Sequence, residues 1–336
     1  MIRHGVISLA AICLPTLLVA EVYESCYSEP DYDRWMYPFN ASPGTRSAGP
    51  TFGGLYSSID DRYGQSFFGW VTIDIPTDLP PSAYRVTGMS VNVSMLNGDD
   101  VTFDNTEDPR DSHGPDGVDP DPGRPFYLSG AGFRGGFNAE TFGETGPHPF
   151  GAGAGGRNVY PLAFDESGVS SDISNNLSEG VDVKHFAVGD SASFTPGSVM
   201  TEIAEISFEV DVSDQYIECY LREALAFGTL DVVLTSFHTG AQDGSGSYPQ
   251  WILKDNILVD LPPPNNANPA TMCIEVEVTL PSGVEGDVNS DGAVNVEDLL
   301  IMLAEFGFCP CCRSDFDGNR EVDIDEVLTL IANWTG

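Results

Sequence analysis

Two stretches near the C-terminal end set oxygen-bearing side chains at a repeated spacing. Residues 286–300 read GDVNSDGAVNVEDLL and residues 314–328 read SDFDGNREVDIDEVL, with Asp287 and Asp315 28 positions apart. Counted from each aspartate, Asp287, Asn289, Asp291, Asn295 and Asp298 occupy positions 1, 3, 5, 9 and 12 of the first loop. Asp315, Asp317, Asn319, Asp323 and Glu326 occupy the same positions of the second. Position 7, Ala293 or Glu321, can add its main-chain carbonyl. Calcium takes roughly six to eight hard oxygens around one point, and a chain wound at this spacing supplies them. Two calcium sites are therefore expected. Charge favours the second loop, which has four acidic ligands against three. Position 6 opposes it: Gly292 stands there in the first loop and Arg320 in the second, where a sharp turn needs positive φ. A non-glycine residue in such a backbone region costs ~1–3 kcal/mol. On that term the first loop is expected to bind more tightly.

The elements that must position these loops follow directly. Leu299, Leu300 and Leu303 follow the first loop, and Val327, Leu328 and Ile331 the second, at helical spacing. Each helix should start inside its loop and pack its apolar face on its twin. This duplicated loop–helix unit resembles a type I dockerin over residues 284–336. The resemblance implies a calcium-folded module that plugs into a cohesin-like or surface scaffold protein, usually on polysaccharide-degrading enzymes. Two departures are visible: Arg320 at position 6, and Val296-Glu297 and Ile324-Asp325 where small hydroxyl residues are familiar.

No other motif carries comparable chemistry. There is no GxSxG elbow, no HExxH and no glycine-rich phosphate loop leading into a helix. Histidines 113, 148, 185 and 238 are scattered, and among 51 acidic residues a glycosidase pair cannot be singled out. The catalytic residues, if any, are unknown. A stretch dense in Gly, Pro and Asp, residues 97–156, reads as a long irregular loop. Asp104, Asp111, Asp116, Asp119 and Asp121 could make a further calcium site there, but no fixed ligand spacing is visible, so a solvated acidic loop is the expectation. Trp35, Tyr37, Phe39, Phe52, Tyr56, Tyr63, Phe67, Phe68 and Trp70 cluster early. They are either core or a platform for sugar rings.

The body, residues 21–283, reads as β-structure. Apolar and polar residues alternate over Val91–Met95, Ile206–Val212 and Ile274–Val278, the period of a half-buried strand. Further strands are expected at Val71–Ile75, Leu230–Ser236 and Trp251–Leu253. One helix, residues 214–227, should be capped by Ser213 and closed by Gly228. With so few helices, an antiparallel, jelly-roll-like β-sandwich is expected, followed by a small all-α calcium-binding domain. The strings DRWMYPF, PGTR and DDRYGQSFFGW resemble a recurring module of planctomycete-like exported proteins, and the strand pattern resembles carbohydrate-binding jelly rolls.

Compartment and partners come from charge and the N-terminal run. Arg3 precedes the apolar stretch VISLAAICLPTLLVA, and acidic sequence begins at Glu21, so residues 1–20 read as a signal peptide. An exported protein, secreted or held at the cell surface and not inserted in a membrane, is expected. With 14 basic against 51 acidic residues the net charge is −37, which repels nucleic acid and anionic lipid and attracts cations. Six cysteines remain after the signal, so disulfides are expected over zinc at Cys309, Cys311 and Cys312. Three functions stay open: a non-catalytic glycan- or matrix-binding protein linked to polysaccharide degradation, a polysaccharide hydrolase, and a structural surface protein.

Overall fold

The computed structural model describes residues 20–37, 43–53, 63–96, 101–109, 112, 118, 120–144, 158–174, 184–200, 203–238, 247–263 and 266–336. The expected signal peptide lies outside them but for Ala20, as do Phe39, Tyr56, Asp111, Asp116, Asp119, His113 and His148. Residues 22–277 form one compact unit and residues 278–336 belong to a second. The boundary thus falls six residues before the expected 284. Among the described residues, no helix is long and apolar enough to cross a membrane.

The body is mainly β, in two sandwich-like sheets whose described pairings are antiparallel. The first sheet runs β1 (Glu21–Tyr27), β13 (Thr271–Val278), β5 (Tyr84–Met95), β12 (Gln250–Ile252) and β3 (Ala48–Pro50), with β10 (Ala204–Glu209) paired to β5. The second runs β2 (Tyr32–Met36), β4 (Gln65–Val71), β11 (Thr229–Ser236), β6 (Phe126–Phe133), β7 (Val159–Phe164) and β8 (Ser170–Asp172), with β9 (Ala187–Val188) paired to β6. Phe126 of β6 meets Trp251 of β12 edge to face at 5.0 Å, and Ser66 Oγ of β4 donates to Gly49 O of β3 at 3.0 Å. Cys26 and Cys273 bridge β1 to β13 across 247 residues of chain.

Several expectations shift. The alternating runs become β5, β10 and β13, but the strand expected at Val71–Ile75 lies earlier, at Gln65–Val71. Every residue from Gln65 to Trp70 is buried, so this strand has no polar face to announce it. The stretch 97–156 is not one irregular loop. It contains β6, FYLSGAGF, whose first seven residues are buried and whose small residues mimic a turn. It also contains a short helix, α1 (Ala139–Phe142), with an Asn138–Thr141 capping box. The expected helix is α2 (Gln215–Phe227), burying Ile217, Leu221 and Leu225. Its cap is Asp214, which accepts from Tyr216 N at 2.9 Å and Ile217 N at 3.2 Å. Ser213 instead donates its hydroxyl to Asp211, and Gly228 closes the helix at φ +94.

The C-terminal unit holds α3 (Val296–Ala304) and α4 (Ile324–Ala332). It is not purely helical, since β14 (Gly307–Phe308) pairs with β15 (Glu321–Val322). Its core repeats with the sequence: Val294 and Val322, Leu299 and Val327, Met302 and Leu330 share one cluster. Strand-like contacts repeat too. Gly307 pairs with Val322, and Thr335, 28 residues on, exchanges bonds with Val294, donating N–H to its carbonyl at 2.9 Å. Cys309 and Cys312 are bridged within this unit.

Candidate metal centre

Each loop is folded by its own side chains. In the first, Asp287 accepts from Asp291 N (3.1 Å) and Gly292 N (2.7 Å), Asn289 Oδ1 from Asp291 N (3.0 Å), and Asp291 Oδ1 from Ala293 N (2.9 Å). In the second, Asp315 accepts from Gly318 N (2.8 Å), Asn319 N (3.1 Å) and Arg320 N (2.9 Å). Asp317 Oδ1 accepts from Asn319 N at 3.0 Å, and Asn319 Oδ1 from Glu321 N at 2.7 Å. Position 9 caps the helix that follows: Asn295 accepts from Glu297 N and Asp323 from Asp325 N, both at 2.7 Å. Each capping box is completed by position 12. Asp298 and Glu326 are both buried, at 0% and 2% exposure. The expected ligand residues therefore all lie on the two short loops and first helical turns, in the register read from the spacing.

The backbone bears on the ranking of the loops. Arg320 does adopt positive φ, +69, like Gly292 at +89. The loops also turn left-handed at position 4, where Ser290 has φ +59 and Gly318 +75. Each loop thus has one glycine and one non-glycine residue in this region, exchanged between positions 4 and 6. The strain assigned to the second loop alone is matched in the first, which removes the ground for ranking the first loop tighter.

Position 12 adds to the difference. Asp298 gives one oxygen to Val288 N (2.8 Å) and Asn289 N (3.1 Å) and the other to Asn295 N (2.9 Å). Glu326, one methylene longer, accepts from Asp323 N at 2.8 Å through Oε2. Asp315, Asp317 and Glu326 each bring an oxygen within 4.8 Å of the others, a grouping the first loop's carboxylates do not reach. Oxygens at about 2.3–2.6 Å from one calcium are at most about 4.6–5.2 Å apart. The donor set is all hard oxygen, with no thiol or imidazole, and it fits calcium.

Most of the described early aromatic residues are enclosed, and Tyr37 is half-buried. Trp70, Phe67, Phe68 and Trp251 are fully enclosed, and Trp35, Phe52 and Tyr63 are buried. On strands covered on both faces, aromatic residues fill the sandwich. His185 and His238 are core as well, stacked on Tyr127 at 3.9 Å and Phe126 at 5.5 Å.

Two buried acids escaped sequence reasoning because nothing local marks them. Burial pushes Asp33 up to about 7, although Lys254 N donates to it at 2.6 Å. Burial does the same to Asp231, opposed by the Thr229 hydroxyl at 3.2 Å. Asp231 lies on the wall of a cavity of about 200 Å³ beside Ala139 of α1 and Tyr220 of α2. Register separates the two acids. Gly69 opposes both Tyr32 and Asp231, whereas Phe68 opposes Asp33 and Val232. Alternation then sends Asp33 and Asp231 to opposite faces of the sheet. They do not form a pair about one substrate. No protein-family model, curated protein or solved structure matches the chain.

Proposed function

We propose that the chain is an exported, dockerin-like attachment protein. Its C-terminal unit folds around two calcium ions and docks on a cohesin-like or surface scaffold protein, while the body is non-catalytic. The observation that carries this reading is an apolar face repeated with the loops. Val296, Leu300 and Leu303 on α3 are 54–61% exposed, and their counterparts Ile324, Leu328 and Ile331 on α4 are 55–60% exposed. The inward side of the same helices supplies the core, so these six residues do not hold the unit together. Exposed apolar residues in such a repeat mark a binding surface. Glu297 and Asp325 lie beside them, so the complementary partner has an apolar centre and a basic rim.

Calcium would act here by neutralising the loop carboxylates and fixing the angle at which each helix leaves its loop. The residues themselves do the rest: capping boxes start the helices, and the shared core aligns the two exposed faces. The body is then free to hold matrix or glycan.

Binding of the full chain to purified cohesin-like domains, in calcium and in chelator, tests the reading. Leu300→Glu with Leu328→Glu should abolish calcium-dependent binding without unfolding the chain. If sedimentation instead shows the chain pairing with itself through these residues, the scaffold partner is wrong.

A further inference from the structure

The body contains a second gathering of carboxylates, built around an enclosed side chain. Val101 and Phe103 are fully buried, and Phe103 exchanges main-chain bonds with Ser198 O (2.9 Å) and Gly197 N (2.8 Å), which fixes this segment. Gly123 packs so close that a Cβ there would lie 2.7 Å from Asp104 Cβ. This approach brings Asp121 over Asp104, and one oxygen each from Asp104, Asp108 and Asp121 lie within 4.8 Å of one another.

Asp104 is only 1% exposed. Its Oδ1 accepts from Thr106 N at 2.9 Å and Thr106 Oγ1 at 2.7 Å. Its Oδ2 is enclosed and meets no hydrogen-bond donor among the described residues. A buried carboxylate oxygen without a donor is unfavourable unless a cation takes that place. Around it the framework is braced. Arg124 holds Asp108 at 2.8 Å and Ser112 Oγ at 3.1 Å, and Asn105 Nδ2 donates to Asp190 at 2.9 Å.

We propose that Asp104, Asp108 and Asp121 hold a third divalent cation of the calcium class. Their oxygens meet the same limit of about 4.6–5.2 Å that applies to ligands of one calcium. Asp104, Thr106 and Asp108 also repeat the 1, 3, 5 spacing of the C-terminal loops, and Thr106 Oγ1 lies 3.2 Å from Asp121 Oδ2. Asp121 is exposed and provides the way in. The ion would tie residues 104–108 to 121–123, joining the segment before β6 to the body.

Equilibrium dialysis of the full chain against radioactive calcium, in about 0.15 M salt to screen loosely held ions, counts the bound equivalents. Asp104→Asn and Asp121→Asn are each expected to lower the count by one. Asp315→Asn, which reads the C-terminal unit alone, lowers it independently, so failure there and failure here are distinguishable. Asp121 is exposed, so its variant decides the matter where Asp104→Asn does not fold. An unchanged count in Asp121→Asn overturns the site.

Discussion

The second C-terminal loop is expected to be the tighter calcium site, and the structure allows the margin to be worked. Backbone strain cancels to first order, because Ser290 and Arg320 each hold one left-handed position against Gly318 and Gly292. What remains is one additional carboxylate in the second loop. Two unit charges about 4 Å apart interact by ~1 kcal/mol in water. For a dication the extra carboxylate is thus worth about 2 kcal/mol before salt screening. Roughly 1–2 kcal/mol survives, a ratio of about tenfold. Asp298 widens the gap, since both its oxygens are engaged by main-chain N–H groups. Calorimetric titration of the full chain with Asp287→Ala and Asp315→Ala measures this directly. Asp315→Ala should remove the strongest C-terminal site and Asp287→Ala should leave it. Ser290→Gly and Arg320→Gly should tighten their own loops by similar factors. Loss of the strongest site in Asp287→Ala, or a gain confined to Arg320→Gly, would refute the cancellation.

Other consequences follow from the body and the exposed tryptophan. Asp33 and Asp231 are raised from near 4 to about 7 when folded, so their contribution favours the folded state most at low pH and is lost as pH rises through about 7. The effect is on the order of 4 kcal/mol for each. Asp231→Asn should therefore raise the urea midpoint over the parent at pH 8 and not at pH 4. Opening the Cys26–Cys273 bridge, which closes 247 residues, should lower stability by about 5–6 kcal/mol in the chain-entropy model, seen as a drop in the midpoint of Cys26→Ser. Trp334 is 42% exposed while Trp35, Trp70 and Trp251 are buried, so added polysaccharide should leave the fluorescence of the three body tryptophans unquenched.

Legibility followed the locality of the signal. The two acidic loops were readable because the candidate ligands of each lie within twelve residues, and capping and core repeat with them. The strands β5, β10 and β13 were readable because one face is wet. The central β4 and β6 were not, since buried faces on both sides erase alternation. The triad of Asp104, Asp108 and Asp121 was half visible: Asp104 and Asp121 stood among the possible ligands in the sequence and Asp108 did not, and their meeting depends on the close approach of Gly123 to Asp104. Asp33 and Asp231 could not be distinguished among 51 acids, because only the packing around them raises their affinity for protons. The early aromatic residues left core and platform both open, because composition does not say which face of a strand is covered; most of those described are core.

The central claim is that the C-terminal unit is folded by calcium, and hydrogen exchange on the full chain tests it most directly. Without calcium, seven ligand carboxylates repel across a core of two nine-residue helices. The account predicts that amides of α3 and α4 are protected in calcium and exchange at coil rates in chelator, while amides of β5 and β11 keep their protection. Equal protection of α3 and α4 in calcium and chelator would contradict it.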